Sequence, residues 1–192
     1  MTNTSSTGGY LLPESTPAPL EGQALIDFFQ EWIVGLTGLP GKMVRPRWQH
    51  EPPNIPTEGT DWLAFGITNR ASDTFAVELH EPLGPDYNQI RRHEVLDILV
   101  SIYGPNADSY AQLLREGMAL AQNREPLSLN SMGLVSSGSV QTVPELVKDK
   151  WYYRVDMPFS IRRQIVRDFR VLSLASAVGT VDNEKYLTSI NA

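Results

Sequence analysis

The strongest pattern in the chain is the alternation of WYYRVDMPFSIR, residues 151–162. The apolar and aromatic side chains stand at odd positions: Trp151, Tyr153, Val155, Met157, Phe159 and Ile161. Because successive side chains of a strand point to opposite faces, this pattern predicts a long antiparallel strand with its odd face in the core. Pro158 lies on the other face and lacks an N–H donor, so we expect it at a sheet edge or a bulge.

Alternating runs elsewhere predict the other strands of a sheet. Residues 63–67 and 75–79 each place three apolar side chains on one face, and NRASD between them favours a hairpin that pairs the two runs antiparallel. Residues 92–103 form a third strand whose core face is Leu96, Ile98, Val100 and Ile102. Weaker strands are predicted near 43–48, within GLVSSGSVQTV (133–143), and near 169–177 as the partner of the long strand.

Two segments have the spacing of a helix with one buried face. In residues 21–36 the apolar positions follow the 3.6-residue period: Leu25, Phe28, Phe29, Trp32, Ile33 and Leu36. After Gly104-Pro105 a second stripe follows: Tyr110, Leu113, Leu114, Gly117, Met118 and Ala121. A shorter helical piece is predicted at 124–130, with its end at Gly133.

This order of elements predicts an α+β fold: a single domain whose mostly antiparallel sheet has long hairpins and helices packed on one face. We assign residues 21–178 to this domain. Residues 1–20 are rich in Ser, Thr and Pro and are expected to form an extended N-terminal arm, and residues 179–192 a polar C-terminal arm.

Composition removes several classes of chemistry. The 192 residues include no cysteine, which excludes disulfides, zinc-thiolate sites, thiolate nucleophiles and iron–sulfur clusters. The formal charge of −6 argues against a protein that binds nucleic acid through a basic surface. The N-terminus lacks the basic and apolar regions of a signal peptide, and no segment has the roughly 18 apolar residues of a membrane span, so we expect a soluble protein.

Positive charge is nevertheless concentrated between residues 150 and 170. Six basic side chains stand there against two acidic ones. The residues that we select as interface candidates are Tyr152, Arg154, Arg162, Arg163 and Arg167, because Tyr and Arg are favoured in buried contacts between proteins. Two interpretations stay open: a contact with an acidic protein partner, or an ordinary solvated hairpin face.

The turn in VSIYGPNADSYAQLL, residues 100–114, raises the question of phosphate binding, because a strand there opens a helix through a glycine. A phosphate-binding turn needs several glycines and a lysine or an acidic ribose partner, and this turn has one glycine and no lysine. Asn106 is better interpreted as an N-cap and Asp108 as a first-turn acid favoured by the helix dipole.

Other candidate catalytic groups are sparse. Glu78 and His80 share a strand face and, with His93 or Asp97, would make at most a weak metal site. The serines of SSGSV (136–140) lack the G-x-S-x-G pattern of a hydrolase nucleophile, and the carboxylates form no recognisable acid–base pair. The sequence therefore predicts neither an enzyme nor a bound cofactor or metal.

Three pieces in order resemble a known family: VLDILVSIYGPNADSYAQLLREGM, NREPLSLNSMGL and VPELVKDKWYYRVDMPFSIRR. They are similar to the neck and tail-terminator proteins of tailed bacteriophages, with a strand that ends in a Y-G-P-N turn before a helix and a later W-x-x-R-x-D strand. The resemblance extends over about residues 22–178.

The resemblance implies a structural protein of the virion neck that is assembled in the host cytoplasm. Its copies would form a ring, usually of six, that caps the tail tube, stops its growth and meets the head-completion protein below the portal. The tail sheath would be a further partner in a contractile tail, and genomic DNA would pass through the lumen without specific binding. Alternatives are another head–tail connector, a tube-like protein of a contractile apparatus or, in a different class, a small metal-dependent hydrolase that uses Glu78, His80 and His93.

Overall fold

The computed structural model describes residues 9–14, 19–51, 53–80, 82–84, 86–147, 149–172, 178–183 and 186–191. The helices are α1 (Gly22–Thr37), α2 (Ala107–Ala119) and α3 (Ala121–Leu129). The strands are β1 (Val44–Pro46), β2 (Trp62–Ser72), β3 (Val77–His80), β4 (Tyr87–Tyr103), β5 (Met132–Ser137), β6 (Gln141–Thr142), β7 (Glu145–Val147), β8 (Lys150–Tyr152), β9 (Arg154–Arg170), β10 (Val178–Asn183) and β11 (Tyr186–Asn191). The predicted single α+β domain with a mostly antiparallel sheet is confirmed.

The main sheet has the strand order β1-β2-β4-β9-β5. β1 runs parallel to β2, and β2 pairs antiparallel with β4. β5 and β6 both pair antiparallel with β9, and β3 pairs antiparallel with β4. β4 and β9, with 17 residues each, are therefore the neighbouring interior strands of this sheet. β2 and β3 pair with β4, β5 and β6 pair with β9, and β1 pairs with β2.

One face of the sheet is packed against the three helices and forms the core. α1 contributes Leu25, Phe29, Trp32 and Ile33, which are buried as their spacing predicts. From β4 the predicted face is buried as well: Leu96, Ile98, Val100 and Ile102. The indole of Trp32 meets the ring of Phe159 edge to face, with 5.9 Å between centroids. Burial of these apolar side chains is the main favourable contribution to folding.

The predicted hairpin between residues 63–67 and 75–79 is wrong. β2 pairs with β4, where Leu63, Phe65 and Ile67 lie opposite Ile102, Val100 and Ile98. Such a row of apolar cross-strand pairs extends the core, whereas Phe75 and Val77 are exposed, Phe75 to 86%. β3 pairs with a different part of β4, residues 88–91, so the length of β4 provides a partner for each run.

The long alternating strand begins later than predicted. β9 starts at Arg154, and its core face is Val155, Met157, Phe159 and Ile161, as the alternation indicates. The alternation also predicts Trp151 and Tyr153 on this core face, but they are 71% and 42% exposed. The cause is a break at residue 153: Trp151 belongs to β8, which pairs with β7, and the Tyr153 hydroxyl donates to Asp108 (2.6 Å) at the start of α2.

Pro158 lies in the interior strand β9 and not in an edge strand. The carbonyl of Pro158 accepts a hydrogen bond from Gly138 N (2.7 Å), in the gap between β5 and β6. Because the N and O atoms of one strand residue point to the same side, the missing N–H faces this gap, where the neighbouring strand is interrupted. A side chain at 138 would collide with the proline, since a Cβ there would lie 2.7 Å from its Cγ.

The predictions for the helices after Gly104 and for the chain after residue 168 are confirmed only in part. Leu113 and Ala121 are exposed, and α3 ends at Leu129 instead of near Gly133. Residues 169 and 170 continue β9 and do not begin a partner strand, while residues 173–177 lie outside the described residues. Within the predicted C-terminal arm, β10 and β11 pair antiparallel, Val178 opposite Asn191.

The Y-G-P-N turn is held by a residue from the loop before β2. Gly104 has φ = 114°, a conformation that favours glycine, and a Cβ there would lie 2.8 Å from Cα of Asp61. The Asp61 carboxylate accepts from Asn106 N (2.9 Å) and Asn106 Nδ2 (2.8 Å). Asn106 stands at the N-cap position as predicted, but its side chain binds Asp61 and not the helix backbone.

The chain divides into two compact units by its internal contacts. One consists of residues 17–76 and 92–165 and holds the helices and the core. The other draws on residues 1–16, 77–91 and 166–192. Within this second unit Arg170 contacts Glu14 (3.0 Å) and Tyr87 (2.8 Å), and Gln89 donates to Asp168 (2.8 Å).

Truncation of β9 side chains tests the register. We expect Phe159→Ala to cost about 3–5 kcal/mol of unfolding free energy, because it leaves a cavity beside Trp32. Tyr153→Ala, the matched control, removes an exposed ring together with its hydrogen bond to Asp108 and should cost about 1 kcal/mol. Urea denaturation measures both values. Equal losses in the two variants would contradict the register.

Candidate assembly surfaces

The five predicted interface residues lie in different environments. Arg162 is exposed, as an interface residue requires, and Tyr152 is half-buried beside a cavity of about 60 Å³ that Trp62 and Tyr103 also line. Arg167 is half-buried in the second unit. Arg154 and Arg163 are mostly buried and have partners inside their own subunit. The structure therefore does not gather the five side chains into one accessible patch.

Arg163 is a structural residue within the subunit. Its Nε donates to Glu94 (2.6 Å) on β4, and both side chains are at most one-tenth exposed. Its Nη1 donates to the carbonyl of Leu20 (2.6 Å), just before α1. A buried guanidinium with two such partners ties the start of the helical layer to the sheet.

Arg154 is the centre of an ion-pair network on the face of the sheet opposite the helices, which we call the polar face. Its Nε and Nη2 each donate to Asp156 at 2.7 Å, one to either carboxylate oxygen. Its Nη1 contacts Glu145 at 3.1 Å, and Glu145 also accepts from the Tyr103 hydroxyl (3.0 Å). A two-pronged arginine–carboxylate contact of this kind is both strong and directional.

Burial and charge act in opposite directions on Asp156. Burial by itself raises the pKa of this carboxyl, but hydrogen bonds from Arg154 and from Ser101 (2.5 Å) more than offset it, so the pKa lies below its ordinary value. Ser101 in turn accepts from Arg47 of the segment after β1. The pKa of Tyr103 is raised, first by burial. The contacts of the polar face therefore favour the ionised form of Asp156 although this carboxyl is largely shielded from solvent.

Aromatic rings extend this network across the sheet. Trp62 and Tyr103 lie opposite each other on β2 and β4 and stack with 4.3 Å between centroids. Arg45 lies over Trp62 at 5.4 Å and Arg154 over Tyr103 at 6.0 Å, within the range of cation–π attraction. The sequence analysis did not predict this row of aromatic and charged side chains. The sequence does contain one signal for it: Arg154 and Asp156 are two residues apart, which places opposite charges on one face of a strand.

The residues considered for a metal site are engaged separately. Glu78 accepts from Asn88 (2.6 Å) in one unit, while Asp97 accepts from Asn69 (2.9 Å) and Ser160 (2.7 Å) in the other. His93 Nδ1 lies 3.5 Å from Asp73. Among the residues that the structure describes, no three His, Asp or Glu side chains are grouped as metal ligands.

Among the exposed apolar side chains that the structure describes in the larger unit, some lie on a hairpin and others line a cavity between two helices. On the β7–β8 hairpin, Leu146 lies opposite Trp151, and they are 54% and 71% exposed; we call this pair the knob. Between α1 and α3 lies a cavity of about 470 Å³, which we call the groove, with Phe28, Leu36 and Leu129 in its lining. Contiguous exposed apolar surface of this kind is typical of sites of protein contact.

Of the helices in the described ranges, none combines the length and the apolar character that crossing a bilayer requires.

Comparison with protein-family models matches residues 23–186 to the model described as phage neck terminator protein. No curated protein matches the chain. The matched range contains every buried apolar residue of the core, from Leu25 to Ile161, together with the polar-face network and both exposed apolar surfaces.

Substitution of Arg154 tests whether it acts inside the subunit. We expect Arg154→Ala to cost about 3 kcal/mol, because it leaves the Asp156 carboxylate buried without its main partner. At roughly 2–4 °C per kcal/mol for a chain of this size, the Tm should fall by about 6–12 °C. Arg162→Ala, the same change at an exposed site of the same strand face, should change stability by under about 0.5 kcal/mol. Thermal unfolding followed by circular dichroism measures both; an unchanged Tm for Arg154→Ala would contradict the assignment.

The lowered pKa of Asp156 predicts acid sensitivity with a definite sign. The ordinary pKa of an aspartate is 3.8, so near and below this pH the Asp156 carboxyl takes up a proton more readily in the unfolded chain than in the folded protein. The contribution of ionised Asp156 to stability is therefore present above about pH 4 and is lost as the pH falls further. In urea denaturation between pH 6 and pH 3, Asp156→Asn should show a flatter decline than the unsubstituted chain. Asp97→Asn, at a half-buried carboxyl whose hydrogen bonds come from the neutral side chains of Asn69 and Ser160, should change the slope less. Parallel curves for Asp156→Asn and the unsubstituted chain would exclude this role.

Proposed function

Because this chain belongs to the phage neck terminator family, we propose that its copies form a closed ring, of six subunits, that caps the tail tube in the virion neck. The observation that carries the proposal is the family match over residues 23–186, which includes the whole core. We propose a structural and not a catalytic role, with assembly in the host cytoplasm.

The proposed ring acts by occupancy. It binds the last ring of tube subunits through the surface that a further tube ring would use, so growth stops. Its opposite side meets the head-completion protein below the portal, and in a contractile tail the sheath contacts it as well. A surface that is already filled cannot nucleate another layer, so tube length is set without any chemical step.

The charge of the chain suits an open channel for DNA. The formal net charge is −6, which disfavours retention of a polyanion that has to pass through the ring. The two most buried of the arginines considered as candidates are neutralised internally, Arg154 by Asp156 and Arg163 by Glu94. These cations therefore add little to any attraction for phosphate.

Exposed apolar side chains support an assembly role. Trp48, Phe75, Leu129 and Trp151 are each more than 70% exposed. Scattered exposed residues are ordinary in a monomer, but large aromatic side chains are enriched where proteins bind one another. A ring subunit that touches two neighbours, the tube and the head side needs several such surfaces.

A nonsense codon at Trp151 tests the terminator role in the phage. The truncated chain lacks β9, which supplies Val155, Met157, Phe159 and Ile161 to the core and pairs with β4, so it cannot fold. We expect filled heads without tails, and free tubes of irregular and often excessive length. Electron microscopy of the lysate gives the tube-length distribution.

The control is the same phage with the intact gene supplied in trans, which should restore tubes of uniform length joined to heads. Uniform, correct-length tubes detached from filled heads in the nonsense mutant would indicate a joining protein that acts after length is fixed. Normal infectious particles would overturn the neck assignment as a whole.

A further inference from the structure

We propose that neighbouring subunits of the ring exchange an N-terminal segment: residues 9–14 of one copy, which we call the strap, lie along the outer edge of β9 in the next copy. This inference rests on the proposed function, because it takes ring formation as its premise. It names the segment that joins the subunits and identifies its partner as a second copy of this chain.

The outer edge is the part of β9 that extends beyond β5. Gln164 N donates to Ser131 O, which lies just before β5, so the even-numbered residues of β9 direct their backbone groups towards the β5 side. The pairing of β5 with β9 ends at Arg163, whereas β9 continues to Arg170. The backbone groups of residues 166, 168 and 170 therefore form an edge that β5 does not reach. An edge of this kind is a template for a further strand.

Within one subunit the strap already lies on this edge, which shows what fits there. Glu14 N donates to Asp168 O (2.8 Å), and the Glu14 carboxylate contacts Arg170 Nε (3.0 Å). The same Nε donates to the hydroxyl of Tyr87 (2.8 Å). The strap supplies a backbone donor and a negative charge, while the edge supplies the acceptor and the positive charge. Residues 9–14 of this chain are therefore a complementary occupant of the outer edge.

These contacts do not require that the strap and the edge belong to the same copy. The smaller unit is built from three separate ranges, 1–16, 77–91 and 166–192, so the strap reaches β9 as a segment that is distant in sequence. Every copy presents the same edge, and a strap from a neighbour can make the same hydrogen bond and the same ion pair. Exchange of an identical element between subunits is a low-cost route to assembly for this reason.

The contacts within one subunit are individually weak and leave apolar surface on the strap. The side chains of Glu14 and Arg170 are 45% and 55% exposed, and an exposed ion pair or a single hydrogen bond contributes little to stability. Local opening at such a segment therefore needs little free energy. Tyr10 and Leu12 are 94% and 76% exposed, which leaves apolar area for a neighbouring subunit to cover.

An exchanged strap is a head-to-tail contact. Each subunit gives its strap to one neighbour and receives the strap of the other, so the two contact surfaces of a subunit are different. Contacts between unlike surfaces close into a ring when the rotation per subunit allows it, whereas reciprocal exchange between two copies stops at a dimer. Native mass spectrometry distinguishes these two products.

Charge reversal distinguishes exchange from a contact within one subunit. In a pure protein, Glu14→Arg or Arg170→Glu alone places like charges together wherever a strap meets an edge. In an equimolar mixture of the two full-length variants, a strap that is exchanged between unlike copies meets an opposite charge, in both directions. A strap that stays in its own subunit still meets a like charge. Mixing can therefore restore the contact only if the straps are exchanged.

Cysteine cross-linking measures the exchange, because the chain has no cysteine of its own. Leu12→Cys is added to the Glu14→Arg protein and Leu172→Cys to the Arg170→Glu protein; the two leucines are 76% and 62% exposed. The mixture is treated with a short bismaleimide, alone and with tail tubes isolated from the Trp151 nonsense phage. We expect about fivefold more cross-linked chain pairs than when both cysteine variants carry Glu14→Arg, as for loss of one surface ion pair.

Two controls accompany this measurement. Val135→Cys in place of Leu172→Cys reports chance collisions, since Val135 is 56% exposed, and should give much lower yields. The same Leu12→Cys and Leu172→Cys pair without charge reversal should cross-link as well as the mixture does, so the test does not depend on the charge variants alone. Thermal unfolding of each variant checks that the fold persists.

The outcomes separate strap exchange from the proposed function. Equal yields in the mixed and the like-charged backgrounds, equal yields with Val135→Cys, or a native mass that stops at the dimer would each overturn the exchange. So would the absence of cross-links between chains both alone and with tubes. If the unsubstituted chain still restored uniform tube length in the nonsense phage in any of these cases, the terminator role would stand while the exchange fell.

Discussion

The packing of alternate β9 residues between two unlike layers is the constraint on which the rest of the structure depends. Val155, Met157, Phe159 and Ile161 fill the space under the helices, while Arg154 and Asp156 face the other side, where Ser101 and Glu145 meet them. Because β9 has strand neighbours at both edges, these residues have little freedom to move. The helical layer and the hairpin that carries Trp151 are positioned relative to this one strand.

Strong periodicity made much of the fold predictable from sequence. The buried faces of α1, of β4 from Leu96 to Ile102 and of β9 from Val155 onward follow from spacing alone, because a wrong register would expose the whole apolar set. Pairing was harder to predict. NRASD has the composition of a hairpin turn, yet β2 pairs with β4 because Ile98, Val100 and Ile102 offer it a longer apolar row than β3 can.

The interface role of the single arginines stays a prediction, although two of the five candidates are largely buried within the subunit. The sequence shows the charge of Arg163 and Arg154 but not all of the contacts that shield it: Glu94 on another strand pairs with Arg163, and the ring of Tyr103 lies under the guanidinium of Arg154. Only Asp156, two residues from Arg154, was a visible signal. Arg162 is exposed as predicted, and the family resemblance, which rested on the order of strand, turn and helix, is confirmed by the match over residues 23–186.

The turn at Gly104 has a consequence for how this sequence can diverge. A Cβ at position 104 would meet the side chain of Asp61 and also its backbone, with 2.8 Å to Cα. Shortening or replacing the aspartate would relieve the first collision and not the second. Residue 61 is thus free to vary wherever another group can bind Asn106, but residue 104 is not released by any single compensating change. Substitution histories at the two positions should therefore be uncoupled in spite of their direct contact.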